Sequence, residues 1–130
     1  MLVHHIGYYV TDLEEAKNKF ECLGYCVEQD EVYDFQRGIK VLFLIGESVR
    51  IELIKIVDIE HCDIAHLGHY KGAFPYHICY EVDDIDLTIV KLKKQRFKVI
   101  KEKAGAKAIN NREVVFLYNK NVGVIELMER

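Results

Sequence analysis

Two periodicities alternate along this chain. Residues 3–10 repeat with period two, which places His5, Gly7 and Tyr9 on one side of a strand and Ile6, Tyr8 and Val10 on the other. The second side is the greasier one and is expected to pack on the helix that follows, leaving the His5 side to line a cavity. Thr11-Asp12-Leu13-Glu14 then reads as a helix start with a capping box. Leu13, Ala16, Phe20 and Leu23 recur at helical spacing as far as Gly24, a natural stop. A strand at Tyr25–Glu28 and a polar stretch lead to two further strands, Lys40–Ile45 and Val49–Ile56, joined by a turn at Gly46-Glu47.

The same order then recurs. Residues 77–82 set His77, Cys79 and Glu81 on one side and Ile78, Tyr80 and Val82 on the other; Asp83-Asp84-Ile85-Asp86 starts a second helix with the stripe Ile85, Ile89, Leu92. Lys91, Lys93 and Lys94 fall near its C-terminal end, where cations are favoured. Strands at Lys98–Ile100, Glu113–Tyr118 and Val122–Met128 follow, the last two joined by a turn at Asn119-Lys120-Asn121. The repetition is legible residue by residue. His5-Ile6-Gly7-Tyr8-Tyr9-Val10-Thr11-Asp12 returns as His77-Ile78-Cys79-Tyr80-Glu81-Val82-Asp83-Asp84 at an offset of 72, and Ile51-Glu52-Leu53 returns as Ile125-Glu126-Leu127 at an offset of 74. The fold expected is α+β, with two tandem βαβββ modules at about residues 1–56 and 75–130, a connector at 57–74, and a single domain over residues 1–130.

With 130 residues, half of them hydrophobic, the chain is long enough for one compact core. Eighteen basic and 21 acidic residues leave a formal charge of −3, and no basic stripe with interleaved aromatics occurs, so no nucleic-acid partner is expected. No apolar run approaches spanning length and no export signal is read at the start, so the expectation is a cytoplasmic protein with no membrane partner. Cys22, Cys26, Cys62 and Cys79 lack zinc-finger or redox spacing; most are expected to be buried, with Cys79 a small residue leaving room beside His77.

The chemistry lies in the duplication. A unit that begins with a His and ends with a Glu delivers two imidazoles and two carboxylates, a complete ligand set for one divalent ion: zinc, nickel, cobalt, manganese or iron, with calcium a poorer fit. The metal ligands expected are His5, Glu52, His77 and Glu126. Equivalent modules related by a pseudo-twofold would bring these four to one centre, a metal in the middle of a pseudo-symmetric curved sheet or cup. Strand parity agrees: Glu52 and Glu126 fall on the face opposite Ile51, Leu53, Ile125 and Leu127, and a carboxylate inside an interior strand is costly unless paired or bound to a cation. His4 falls on the opposite face from His5 and is assigned to the surface or to packing. His61, His66 and His69 in the connector are read as solvated polar residues.

These segments, including His-Ile-Gly-Tyr-Tyr-Val-Thr-Asp-Leu-Glu-Glu-Ala, Tyr-His-Ile-Cys-Tyr-Glu-Val-Asp-Asp-Ile-Asp and Gly-Val-Ile-Glu-Leu-Met-Glu, resemble the vicinal oxygen chelate superfamily over nearly the whole chain. That superfamily includes glyoxalase I, methylmalonyl-CoA epimerase, extradiol dioxygenases and bleomycin resistance proteins. The resemblance implies a metal at His5, Glu52, His77 and Glu126, and proton transfer beside a metal-polarised carbonyl through an enolate or enediolate. Glu126 is then the first choice of catalytic base and Glu52 the second. The substrate would be a small carbonyl or thioester compound. The order Gln36-Arg37-Gly38-Ile39-Lys40 through Ile51-Glu52-Leu53 looks more like the epimerase branch and its small glyoxalase-like relatives, so the resemblance implies a metal-dependent lyase or isomerase, lactoylglutathione lyase-like or methylmalonyl-CoA epimerase-like, although Tyr76 stands where a second His often precedes the ligand in the epimerase. A separate epimerase carboxylate would lie near Glu31 or Asp34, and Arg37, Lys40, Lys71 and Lys107 are candidate contacts for acyl-CoA phosphates. Relatives of this kind often form a homodimer. Two rival readings stay open: a metal-free small-molecule binding or drug-resistance protein, and an extradiol-type dioxygenase using two histidines and one carboxylate around ferrous iron.

Overall fold

The computed structural model describes residues 1–130. Eight strands and two helices follow in the order β1 (Leu2–Tyr9), α1 (Leu13–Cys22), β2 (Cys26–Asp34), β3 (Ile39–Ile45), β4 (Arg50–Ile56), β5 (Phe74–Val82), α2 (Ile85–Lys94), β6 (Lys98–Ala106), β7 (Arg112–Asn119) and β8 (Gly123–Glu129). The β-α-β-β-β order therefore occurs twice, as the alternation and helical spacing predict, and the class is α+β. Short 3-10 turns at Ile59–His61 and Ala65–His69 occupy the stretch between β4 and β5.

The chain divides into two compact units. One is Ile6–Pro75; the other joins Met1–His5 to Tyr76–Arg130. In the Ile6–Pro75 unit, β1 runs parallel to β4, β4 antiparallel to β3, and β3 antiparallel to β2. Its core holds Val10, Leu13, Leu42, Leu44, Ile51 and Leu53, with Ile6, Tyr8, Ala16 and Phe20 packed against them. The greasy side of β1 thus meets α1, as its parity requires. In the other unit β5 runs parallel to β8, which pairs antiparallel with β7, and β7 with β6. Val82, Ile85, Val115, Leu117, Ile125 and Leu127 form its core, with Tyr80, Ile89 and Leu92 alongside.

Both helices begin on an aspartate. Asp12 accepts a hydrogen bond from the Glu15 N–H (3.0 Å) and Asp84 from the Leu87 N–H (2.8 Å), each satisfying one amide that the first turn leaves open. They end on a left-handed residue, Gly24 (φ 95°) after α1 and Arg96 (φ 65°) after α2. Arginine carries a steric penalty in that region that glycine does not. Arg96→Gly is therefore expected to stabilise the protein by about 0.5 kcal/mol and Gly24→Ala to destabilise it by about 1 kcal/mol, read from urea unfolding midpoints. Equal midpoints for both variants and the parent would refute this.

Three local expectations need correction. β2 and β6 extend through nine residues each rather than stopping near Glu28 and Ile100, because pairing with β3 and β7 carries them across the polar stretch, with register shifts where the alternation breaks. Leu23 is exposed because it caps α1 after the apolar face has ended, and Ile78 keeps 37% of its surface exposed rather than being fully packed. Of the four cysteines, none in a disulfide, only Cys79 is buried; Cys22 and Cys26 sit exposed at the end of α1 and the start of β2. Neither ten-residue helix is long and apolar enough to cross a membrane.

Candidate metal centre

The boundary between the units falls inside β1, between His5 and Ile6, so His5 belongs with the C-terminal half of the chain. It meets His77 and Glu126 there. His77 lies on β5 and Glu126 at the middle of β8, opposite Cys79 on one side and Phe116 on the other. The parity that sends Ile125 and Leu127 to the α2 side turns Glu126 to the other face.

Three atoms converge. Oε2 of Glu126 is 3.1 Å from Nε2 of His5 and 3.1 Å from Nε2 of His77, and the two nitrogens are 3.2 Å apart. All three residues are buried, His5 at 0 %, His77 at 3 % and Glu126 at 3 % exposure. Oε2 makes no well-aligned hydrogen bond with either ring. Burial by itself pushes the Glu126 carboxyl up, but the two imidazoles beside it outweigh burial and hold it well below the usual carboxylate range. It is an anion.

The arrangement fits a divalent cation. Donor atoms about 2.1 Å from one ion stand about 3.0 Å apart at neighbouring octahedral positions and about 3.4 Å apart at tetrahedral ones. The observed edges of 3.1–3.2 Å fall between these values. A buried carboxylate oxygen without a well-aligned hydrogen bond, facing two imidazole nitrogens, is also the donor set such an ion takes.

Glu52 lies in the Ile6–Pro75 unit, buried at 9 % exposure. Its register copies that of Glu126. Glu52 stands across from Gly7 on a parallel strand and Phe43 on an antiparallel one; Glu126 stands across from Cys79 and Phe116 in the same senses. The duplication read from sequence is thus repeated in the pairing of each unit.

Other candidates have local partners. Asp34 is buried, accepts the Arg37 N–H at 3.2 Å and lies 3.7 Å from the Arg37 guanidinium, which makes it a cap of the turn into β3. Glu31 pairs with Lys40 at 2.8 Å, so Arg37 and Lys40 both already face carboxylates. His61 pairs with Asp58 at 2.8 Å on an exposed turn, in keeping with a solvated role. Strand parity missed His4. Its Nδ1 lies 2.8 Å from Nδ1 of His5, and the signal available was simple adjacency in a His-His pair. Tyr76 and Phe116, whose rings pack edge-on to His77, were also outside the ligand argument.

The chain is similar to proteins of known sequence and structure. The sequence model of the Glyoxalase/Bleomycin resistance protein/Dioxygenase superfamily matches residues 4–116. Mitochondrial methylmalonyl-CoA epimerase of Mus musculus is 27% identical over 123 residues, covering 93% of this chain and 67% of the mouse protein. The Homo sapiens protein of the same name is 26% identical over 121 residues, covering 93% of this chain and 68% of its own length. The crystal structure of methylmalonyl-CoA epimerase from Mycobacterium tuberculosis has a TM-score of 0.81 at 26% identity, over 98% of this chain and 86% of that one. A hypothetical protein from Bacillus halodurans C-125 shares the fold with a TM-score of 0.84 at 22% identity, over 99% and 94% of the two chains. A duplicated β-α-β-β-β chain whose match spans most of its length belongs to the glyoxalase/bleomycin resistance/dioxygenase superfamily.

Proposed function

We propose that this chain is a divalent-metal-dependent isomerase of the methylmalonyl-CoA epimerase type, moving a proton on the carbon beside the thioester carbonyl of an acyl-CoA. The observation that carries the reading is the buried triangle of His5 Nε2, His77 Nε2 and Glu126 Oε2. Similarity to the mouse, human and mycobacterial epimerases supports the substrate class. His5, His77 and Glu126 would hold the ion, with Glu52 as fourth ligand on the strength of its equivalent register. A bound divalent ion would polarise the carbonyl and so acidify the neighbouring carbon.

The remaining work belongs to the side chains. Glu126 is anionic and can accept a proton, yet beside the two imidazoles its basicity is held down. Moving away from the imidazoles removes the interactions that hold its carboxyl down, so the same residue becomes a stronger base when it disengages. Glu52 is the second carboxylate and can hold its position while Glu126 moves. The apolar residues flanking each acid, Phe43 and Phe116 across the strands and Met128 on the Glu126 face, keep water from competing for the proton.

The test is solvent deuterium exchange into methylmalonyl-CoA by the purified protein, before and after chelator treatment. Exchange that disappears with the metal and returns with zinc, cobalt or manganese is the expected result. Exchange unaffected by thorough chelation would overturn the metal part of the reading; oxygen uptake with catechols, or tight binding without turnover, would replace the isomerase with a dioxygenase or a binding protein. Light scattering on the same preparation tests the homodimer.

A further inference from the structure

We infer that His4 is a positioning residue for the metal centre: its Nδ1 accepts the Nδ1–H of His5 and so holds the His5 ring with the Nε2 lone pair turned toward His77 and Glu126. This rests on the reading of His5 as a ligand. A neutral imidazole carries one N–H, and when Nε2 offers its lone pair to a cation the hydrogen must sit on Nδ1. His5 is fully buried, so that N–H needs a protein acceptor. The His4 Nδ1, 2.8 Å away, is placed to be it, which in turn puts the His4 hydrogen on Nε2. The two rings meet nearly edge to face, centroids 5.1 Å apart and planes at 78°. Buried Cys79 brings its Sγ within 4.8 Å of donor nitrogens of both, a weakly polar neighbour beside which the hydrogen bond counts for more than in water.

The second copy of the repeat solves the same problem differently. Tyr76 stands where His4 stands in the first copy, and the His77 ring packs edge-on to Tyr76 (4.5 Å, 82°) and to Phe116 (5.4 Å, 88°). The His5 ring is held by a hydrogen bond to its neighbour in sequence, and aromatic rings flank that of His77. A ligand histidine that donates its second N–H is also a better electron donor to a cation, and losing such an acceptor typically costs 10- to 100-fold in metal affinity.

The experiment compares the whole protein with His4→Phe and His4→Asn. Phenylalanine fills the space without an acceptor, and asparagine restores an acceptor oxygen near the position of Nδ1. Zinc affinity is measured by competition with a chelator, and the His5 tautomer is read by nitrogen-15 NMR of the zinc-loaded parent. The expected results are an Nδ1–H tautomer for His5, an affinity about 10- to 100-fold lower in His4→Phe, and recovery of most of the loss in His4→Asn. A parent that binds no zinc overturns the ligand reading and this inference together. A parent that binds zinc while His4→Phe matches it, or whose His5 hydrogen lies on Nε2, overturns this inference alone. The tautomer measurement needs no variant, so it decides the question even where His4→Phe does not fold.

Discussion

Replacing Glu126 with glutamine is expected to slow deuterium exchange into methylmalonyl-CoA about 1000-fold, because the amide keeps the shape of the side chain and loses the oxygen that can take a proton. Buried Glu126 stands between the two imidazoles and is the one member of the triangle able to act as a base while anionic. The loss should fall on kcat and leave KM nearly unchanged, since the proton is transferred only in the chemical step. Measuring at zinc concentrations that saturate the variant separates lost chemistry from lost metal. Glu52→Gln is the control: its register matches that of Glu126, so a larger loss there would move the base to the other unit. A Glu126→Gln rate within tenfold of the parent at saturating metal would sink the assignment.

The second large effect concerns binding. In His77→Ala the triangle loses one of its two nitrogens, and zinc affinity is expected to fall at least about 100-fold, or about 2.7 kcal/mol. The clearest readout is thermal. At zinc equal to about 100 times the parent's Kd the ion stabilises the parent by about 2.7 kcal/mol, and a 100-fold weaker variant gains only about 0.4 kcal/mol. For a chain of this size that is the difference between a Tm rise of roughly 10 °C and one of about 1–2 °C. The metal-free variant is compared with the metal-free parent, since removing a ring that packs on Tyr76 and Phe116 has its own cost. A zinc-induced rise in His77→Ala equal to that of the parent would show that His77 does not hold the ion.

Much of this molecule was readable from residue order because its signals are local. Asp12 and Asp84 start the helices, Gly24 follows the first of them, and the Ile6, Tyr8, Val10 side of β1 faces α1, all consequences of spacing over a few residues. Where the signal was not local, reading fell short. β2 and β6 are interrupted by the polar runs Glu28-Gln29-Asp30-Glu31 and Lys101-Glu102-Lys103 and keep strand conformation across them because β3 and β7 supply hydrogen-bond partners. Cys22 and Cys26 are exposed because of where α1 ends and β2 begins, which residue type does not reveal.

The candidate site divides along the same line. Period-two alternation and the repeat named His5, Glu52, His77 and Glu126 and put each carboxylate on the face away from its helix, because strand parity is a property of the backbone itself. Parity says which side a residue faces and nothing about its neighbour across space. That the start of β1 joins the C-terminal unit, that Nε2, Nε2 and Oε2 close to 3.1–3.2 Å, and that the His4 ring meets the Nδ1 of His5 are matters of packing between segments some seventy residues or more apart or of side-chain rotamers. Those are settled only once the strands have paired, since each contact is stabilised by burial that no segment achieves alone.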